Sequence, residues 1–350
     1  MKISVAMCTY NGSKFIEQQL ESILNQTVEP SEVVVCDDNS TDNTYSILEA
    51  FQASYPDIIK LFKNNKRVGR ITNFNNAISI CSGDIVVLSD QDDVFLPYKF
   101  ERLLDVFVSD PTCGLAFSDA TVVDEELNPI STSQFSAIWP SFDSTRQAKL
   151  RDGRGYEVIN KNTPAIGCSM AFRKNLTKYI LPIPPNAAHD FWILAIAIAF
   201  TNIRIIEEPL VLYRQHGENL AGLQVGILKK LKKRMIRNPD DYYYEITKSV
   251  ESWEQMKERL VKFDAEINES TNEAMLHLIN GKLWYVLEKE RIAGKSASFL
   301  EKLWCIFSLL MKNGYGQYGR GVYDLFRDLV SLYLRLKEKI RTQTPGQMIT

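Results

Sequence analysis

The sequence predicts an α/β fold over residues 1–223, a parallel-dominated sheet flanked by helices, followed by an α-helical extension over 224–350. Three observations carry that prediction. The first hundred residues alternate short apolar, β-rich runs with segments of helical period. The early runs are apolar throughout rather than alternating, as strands covered on both faces must be. From about Gly226 onward the pattern is amphipathic and helical, rich in Lys, Arg, Leu and aromatic residues.

The elements follow in order. Ile3 to Thr9 is the first strand, and Asn11-Gly12-Ser13 turns it into a helix with Ile16, Leu20, Ile23 and Leu24 on one face. Glu32 to Cys36 is the second strand, ending in Asp37-Asp38-Asn39-Ser40, and the next helix points Leu48 and Phe51 inward. Ile58 to Phe62 reads as a third strand and Arg70 to Ile80 as a helix. Asp84 to Leu88 is a fourth strand, ending in Ser89-Asp90-Gln91-Asp92-Asp93. Beyond Pro97 come a helix near Lys99 to Phe107 and a strand from Gly114 to Val123. Asp124 to Asp152, with Pro129 and Pro140, has little pattern and reads as a mobile loop. Ile166 to Phe172 is strand-like, His189-Asp190 opens a very apolar helix, and Leu210 to Arg214 is the last strand.

Composition excludes several classes. The formal net charge of −2 gives no global attraction to nucleic acid. The six cysteines form no C-x-x-C pair and fit no zinc template, so they read as buried, reduced thiols in a reducing cytosol. The N-terminus enters a strand at once, without the apolar core of a signal peptide. The longest apolar run, about Phe191 to Phe200, is far short of the roughly 20 residues that cross a bilayer. The expected location is therefore cytoplasmic.

In open sheets of this kind ligands bind beyond the carboxyl ends of the strands. Three strands deliver Thr9-Tyr10-Asn11, Asp37-Asp38 and Asp90-Gln91-Asp92 to that edge. Asp90 and Asp92, at i and i+2 after a buried strand, can reach toward one hard cation, Mg²⁺ or Mn²⁺, which usually keeps diphosphate oxygens in its shell. A solvated acidic turn is the plainer alternative. Asp38 can accept from a nucleobase N–H or a ribose hydroxyl, while Ser40 or Thr41 caps the helix that follows.

Together Cys8-Thr9-Tyr10-Asn11-Gly12, Asp37-Asp38-Asn39-Ser40-Thr41-Asp42 and Asp90-Gln91-Asp92-Asp93 resemble the nucleotide-binding half of family 2 glycosyltransferases. The resemblance covers roughly residues 1 to 220 and implies the GT-A fold, a nucleotide-diphosphate sugar as donor, a divalent metal (Mn²⁺ or Mg²⁺) and an inverting reaction. It makes residues 1–97 the nucleotide-binding half and 98–223 the acceptor half. Carried over, Thr9, Tyr10 and Asp38 hold base and ribose, with Asn11 and Gln91 beside them. Asp90 lies by ribose and diphosphate, and Asp92 ligates the metal. Asp190 matches the position of the catalytic base, with His189 in place of the usual preceding acid; alternatively Asp190 only caps its helix. His216, in Tyr213-Arg214-Gln215-His216-Gly217, is either a metal ligand or a diphosphate contact, and Arg214 would offset diphosphate charge. Arg70 is either a phosphate contact or a surface residue of its helix. Asp93 and His189 stand next in line for the base. The last three motifs look like the rhamnosyltransferase-like subgroup that builds O-antigens, capsules and cell-wall rhamnans, which implies dTDP-L-rhamnose.

In the extension, Lys229, Lys230, Lys232, Lys233, Arg234 and Arg237 fall within nine residues that contain no acid, and Ile227, Leu228, Leu231 and Met235 share a helical face. That is the pattern of a helix drawn to an anionic membrane surface. Phe299, Leu300, Leu303, Trp304, Phe307 and Leu310 form a second apolar face, and Val322, Leu325, Phe326, Leu329 and Tyr333 a third. A helical domain packing on itself, or on another subunit as a homo-oligomer, is the competing reading. The expected partners are a nucleotide-diphosphate sugar, a polysaccharide or lipid-linked acceptor and the inner face of a bacterial membrane. Two other functions fit less well. A sugar nucleotidyltransferase wants a glycine-rich, basic first loop, and this one has only Gly12 and Lys14. A non-catalytic sugar-binding subunit of an assembly complex has no need of both Asp92 and Asp190.

Overall fold

The computed structural model describes residues 1–130, 144–159, 165–216 and 238–343. The basic helix expected around 227–237, residues 131–143 of the loop expected after Asp124, and Gly217 lie outside the described residues. The chain divides into two compact units, Met1–Gly222 with Ala265–Asn268, and Leu223–Asp264 with Glu269–Thr350.

The first unit is built on an eight-stranded sheet of order β3-β2-β1-β4-β7-β6-β8-β5. Its strands are β1 (Ile3–Thr9), β2 (Glu32–Asp37), β3 (Ile59–Lys63), β4 (Ile85–Ser89), β5 (Val94–Phe95), β6 (Cys113–Val123), β7 (Met170–Arg173) and β8 (Asn202–Arg214). The first four run parallel, connected by α1 (Ile16–Leu24), α2 (Thr44–Ser54) and α3 (Arg70–Ile80). β7 then enters antiparallel between β4 and β6, whereas β6 and β8 pair in parallel. Every residue of β1, β2 and β4 is buried, which accounts for their unbroken apolar signal. Ile3, Val5 and Met7 pack with Val33, Val35, Ile85 and Val87 and with Ile16, Leu20 and Ile23 of α1 in one cluster. Phe100, Leu103 and Phe107 of α4 (Lys99–Ser109) complete it. β1 and β2 end together, with Thr9 paired to Asp37, and Met7 pairs with Ser89, so three strand ends face one edge.

The second half of this unit departs from the sequence reading at four points. The unpatterned stretch holds a helix, α5 (Ser144–Arg151), whose only buried residue is Leu150; with one apolar anchor no period shows. Residues Gly167–Ser169 form a 3₁₀ turn rather than the start of a strand, and β7 begins at Met170. β8 begins at Asn202, not Leu210; Glu207 and Glu208 are exposed there, so its apolar signal is broken. The two-residue β5 is too short to leave a pattern. Beyond β7 come α6 (Thr177–Ile180) and α7 (His189–Phe200). Nine of the twelve residues of α7 are buried, as an all-round apolar helix requires. All six cysteines are free and buried.

The second unit is helical in its described residues: α8 (Pro239–Lys262), α9 (Glu269–Ala293), α10 (Phe299–Met311), α11 (Gly314–Tyr318) and α12 (Val322–Gln343). Asn238 caps α8 by accepting from the Asp240 amide, with Pro239 at the first helical position. A reciprocal Ser298–Glu301 capping box starts α10. Asp328, fully buried, accepts hydrogen bonds from Tyr242 (2.7 Å), Lys289 (2.9 Å) and Tyr315 (2.8 Å), so the buried charge is paired and its oxygens satisfied. No helix among the described residues is long and apolar enough to cross a membrane.

Candidate active site

Two loops build the near side of the site, and they are clipped together. Asn11 and Asn39 both take positive φ, a conformation asparagine tolerates. The Asn11 amide donates to Ser40 Oγ (2.9 Å), and Asn11 Oδ1 accepts from the Thr41 amide (2.9 Å). The Gly12 amide donates to Thr44 Oγ1 (2.7 Å). Thr9 is buried, with its hydroxyl on Asp37 Oδ2 (3.0 Å), and Asp37 also takes the Ser40 amide (2.9 Å). Thr9, Asn11 and Asp37 therefore hold the two loops in shape.

Gln91 joins the third strand end to the first. Its Oε1 accepts from the Tyr10 amide at 2.8 Å and its Nε2 donates to the Tyr10 carbonyl at 3.1 Å. A Cβ at Gly12 would stand 2.3 Å from Gln91 Oε1, so the clasp needs a glycine there. The Tyr10 ring is half-buried, and the Arg67 guanidinium lies 4.1 Å from its centroid. Asp38 shapes the segment that carries Arg67. Its Oδ1 accepts from Val68 N (2.7 Å) and Asn64 Nδ2 (3.0 Å), and its Oδ2 from Gly69 N (2.8 Å). Three of the roughly four acceptor positions of the carboxylate are thus used internally.

Acidic groups crowd the end of β4. Burial pushes Asp90 up to about 7; the charges of Asp92 and Asp190 add to the rise, while Arg70 and Lys99 oppose it. Asp90, Asp92, Asp190 and Arg70 are thereby one electrostatic neighbourhood. Asp190, in the first turn of α7, is half-buried and raised by burial, against the pull of the Phe191 amide on Oδ1 (2.7 Å) and of Arg70. His189 is buried, stacked on Phe74 with centroids 4.3 Å apart. Burial and then Arg70 lower it to about 3, so its ring is neutral at ordinary pH. Arg70 can only donate; its Nη1 lies 3.3 Å from Nδ1 of that ring, which therefore accepts and leaves the proton on Nε2. A Cβ at Gly167 would come within 2.4 Å of that Nε2.

His216 Nε2 lies 2.9 Å from Asp92 Oδ2, joining the end of β8 to the acidic turn. Asp93 points inward instead: Oδ1 accepts the Arg214 amide (3.1 Å), and burial holds its carboxyl well above the usual range. Asp90, Asp93 and Cys168 offer ligand atoms within 4.8 Å of one another. Burial also holds the Cys168 thiol well up, and a protonated sulfur is a poor donor to a hard cation. Asp92 and Asp90 supply carboxylate oxygens, which suit Mn²⁺ or Mg²⁺ better, and the His216 nitrogen beside Asp92 favours Mn²⁺ of the two.

The guanidinium of Arg214 is engaged by the framework in this structure. It is buried, with Nε on the Asp92 carbonyl (2.8 Å), Nη1 on the Glu125 carbonyl and Nη2 on Gln18 Oε1. It holds the acidic turn from behind. Sequence reasoning missed Lys99, buried under the site with its ammonium 3.2 Å from the Phe95 ring centroid and lowered to about 7 by burial. It also missed Arg67 as the partner of Tyr10. A lysine at a helix start reads as a surface cation, and no sequence signal marks it otherwise.

Residues 4–181 match the family model for Glycosyl transferase family 2. Over 259 residues the chain is 30% identical to the dTDP-rhamnosyl transferase RfbG of Shigella flexneri, covering 69% of this chain and 82% of that one. Coverage of the curated relatives is uneven: the chain spans 66% of the length of an uncharacterized glycosyltransferase of Nostoc sp. that is 28% identical, and 20% of that of a chondroitin synthase of Escherichia coli that is 34% identical. Among solved structures, S. aureus TarS 1–349 superposes with a TM-score of 0.56 at 16% identity, over 99% of this chain and 93% of that one. The mannosyltransferase PcManGT of Pyrobaculum calidifontis, in complex with GDP-Man and Mn²⁺, gives 0.50 at 19% identity, over 97% and 88%. The fold is that of the GT-A glycosyltransferases.

Proposed function

This chain belongs to glycosyl transferase family 2, and from that premise we propose that it transfers L-rhamnose from dTDP-L-rhamnose to a polysaccharide or lipid-linked saccharide acceptor, inverting the anomeric carbon, at the cytoplasmic face of a bacterial membrane. It is a glycosyltransferase; the donor reading draws on its likeness to RfbG. The observation that carries the reaction is the contact of Arg70 Nη1, at the start of α3, with Nδ1 of His189 (3.3 Å), the residue before Asp190 at the start of α7.

Asp190 is the base. Burial raises its proton affinity, so it can take the acceptor hydroxyl proton as that oxygen attacks the anomeric carbon and the bond to the diphosphate oxygen breaks. Arg70 keeps a cation beside Asp190 and Asp90 and is suited to a phosphate oxygen. The neutral ring of His189 accepts from Arg70 and steadies it. Tyr10, with Arg67 over its ring, Asn11, Gln91 and the Asp38-anchored segment form the cradle for base and ribose. Asp92 and His216, with Asp90, would hold a divalent cation, Mn²⁺ or Mg²⁺, whose charge would stabilise the departing diphosphate; the complex of PcManGT contains Mn²⁺. In this reading residues 1–97 serve the nucleotide and 98–223 the acceptor.

The test is transfer to saccharide acceptors from dTDP-L-rhamnose, UDP-GlcNAc and GDP-mannose in parallel, with the product anomer read by NMR. Turnover of dTDP-L-rhamnose with inversion is expected. A retained configuration, or preference for another donor, overturns the mechanism or the sugar respectively.

A further inference from the structure

We propose that α10 is a membrane-facing element, whose outer stripe lies in the interface of an anionic lipid bilayer. The proposal deepens the lipid-linked acceptor reading and rests on it only for its biological purpose. The stripe is Leu300, Trp304, Phe307 and Met311, spaced i, i+4, i+7 and i+11, and therefore on one face. Leu300 is 74% exposed, Trp304 68% and Met311 70%. The Trp304 and Phe307 rings sit together at the surface, with centroids 5.6 Å apart. The opposite face is used inward, since Cys305, Ile306 and Leu309 are buried. A helix apolar on both faces is out of place in water unless its second face has an apolar environment of its own.

Charge selects the occupant. Arg291 pairs with Glu288, Lys295 with Asp240 and Lys302 is buried on the Gly294 carbonyl, which leaves Lys312 and Arg320 exposed between Arg291 and Val322 against one acid, Glu301. That acid is engaged at the helix cap, accepting from the Ser298 amide at 2.6 Å. Residues 223–350 as a whole carry 22 Lys and Arg against 16 Asp and Glu, in a chain that is otherwise acidic. Phosphate headgroups complement that surplus. At 1.5 Å per residue, a helix of this length is about 20 Å long, too short to cross a bilayer and suited to lying flat in its interface.

The experiment is co-sedimentation of the full chain with vesicles of phosphatidylcholine, with and without phosphatidylglycerol. Wild type is expected to bind the anionic vesicles and to release in high salt. The double substitution Trp304→Gln, Met311→Gln changes only exposed positions, and circular dichroism checks its fold. It is expected to weaken vesicle binding by about tenfold or more, with solution mass and transfer to a soluble acceptor unchanged. The substitutions Lys312→Gln and Arg320→Gln should weaken binding by roughly fivefold each on anionic vesicles alone. Unaltered vesicle affinity in the double variant overturns the proposal. So does a wild-type oligomer that the double variant dissociates while still binding vesicles. If vesicle binding follows the expectation but no donor is turned over, the surface stands and the proposed reaction falls.

Discussion

His216 and Asp92, 124 residues apart in sequence, meet with Nε2 2.9 Å from Oδ2. The contact brings the end of β8 onto the acidic turn after β4 and sets an imidazole and a carboxylate side by side. Removing a divalent cation with chelator should abolish transfer, and Mn²⁺ or Mg²⁺ should restore it. His216→Ala should raise the metal concentration needed for half-maximal activity while leaving the fold intact. Calorimetric titration with Mn²⁺ measures this directly, and equal Mn²⁺ affinity in wild type and variant would remove His216 from the ligand set.

Asp190→Asn keeps the shape of the side chain but cannot take a proton. Transfer should fall by about 10²–10⁴-fold with nucleotide affinity unchanged. Because burial raises Asp190, the acid limb of the kcat profile should lie above the ordinary carboxylate range. Arg70 favours the charged carboxylate, so Arg70→Ala should move that limb to still higher pH. A near wild-type rate for Asp190→Asn would reduce Asp190 to a helix-end residue.

Asp38→Ala strips the acceptor from two backbone amides and the Asn64 side chain at once. A fully buried donor left unpaired costs about 1–3 kcal/mol, and these half-buried donors cost less than that each. The variant should therefore lose several degrees of Tm and bind nucleotide more weakly, since Arg67 would no longer be held over Tyr10. An unchanged Tm would mean that the segment after Asn64 stands without Asp38.

Glu32 provides a pH test of the sheet itself. Its burial alone would raise its pKa, but Lys60, Ser4 and Ser82 together outweigh that and lower it to about 2 from 4.5. The folded carboxylate releases its proton more readily than the unfolded one. Its contribution, at most about 3 kcal/mol, is fully present above the unfolded value and is lost as pH falls toward 2. Denaturant titrations should show a smaller loss of stability between pH 5 and pH 2 for Glu32→Gln than for wild type. Parallel pH dependence in the two would overturn the assignment.

What the sequence made legible follows burial. β1, β2 and β4 are covered on both faces, and their unbroken apolar runs announced both the strands and the edge where they end. Thr9, Asp38, Asp90 and Asp92 could be placed because they directly follow those runs. The second half was harder to read, because α5 buries only Leu150 and the early part of β8 exposes Glu207 and Glu208. Roles were less legible than positions. Whether an arginine after a strand faces a ligand or the framework depends on partners far along the chain, and Arg214 faces the framework. Lys99 is the opposite case, a residue of ordinary surface type that tertiary packing buries.

The guanidinium of Arg214 reaches Gln18, Asp92 and Glu125, and this has a consequence for synthesis on the ribosome. The loops after β1 and β2, clipped together through Asn11, Ser40 and Thr41, can close once the early parallel strands have emerged. The acidic turn cannot be locked from behind until the chain has been extended nearly 200 residues beyond Gln18. Closing so distant a contact is slow relative to local structure, so the loops after β1 and β2 can form in the nascent chain before the acidic turn is secured. Truncations that stop short of Arg214 should accumulate with that turn unsecured, aggregation-prone and inactive.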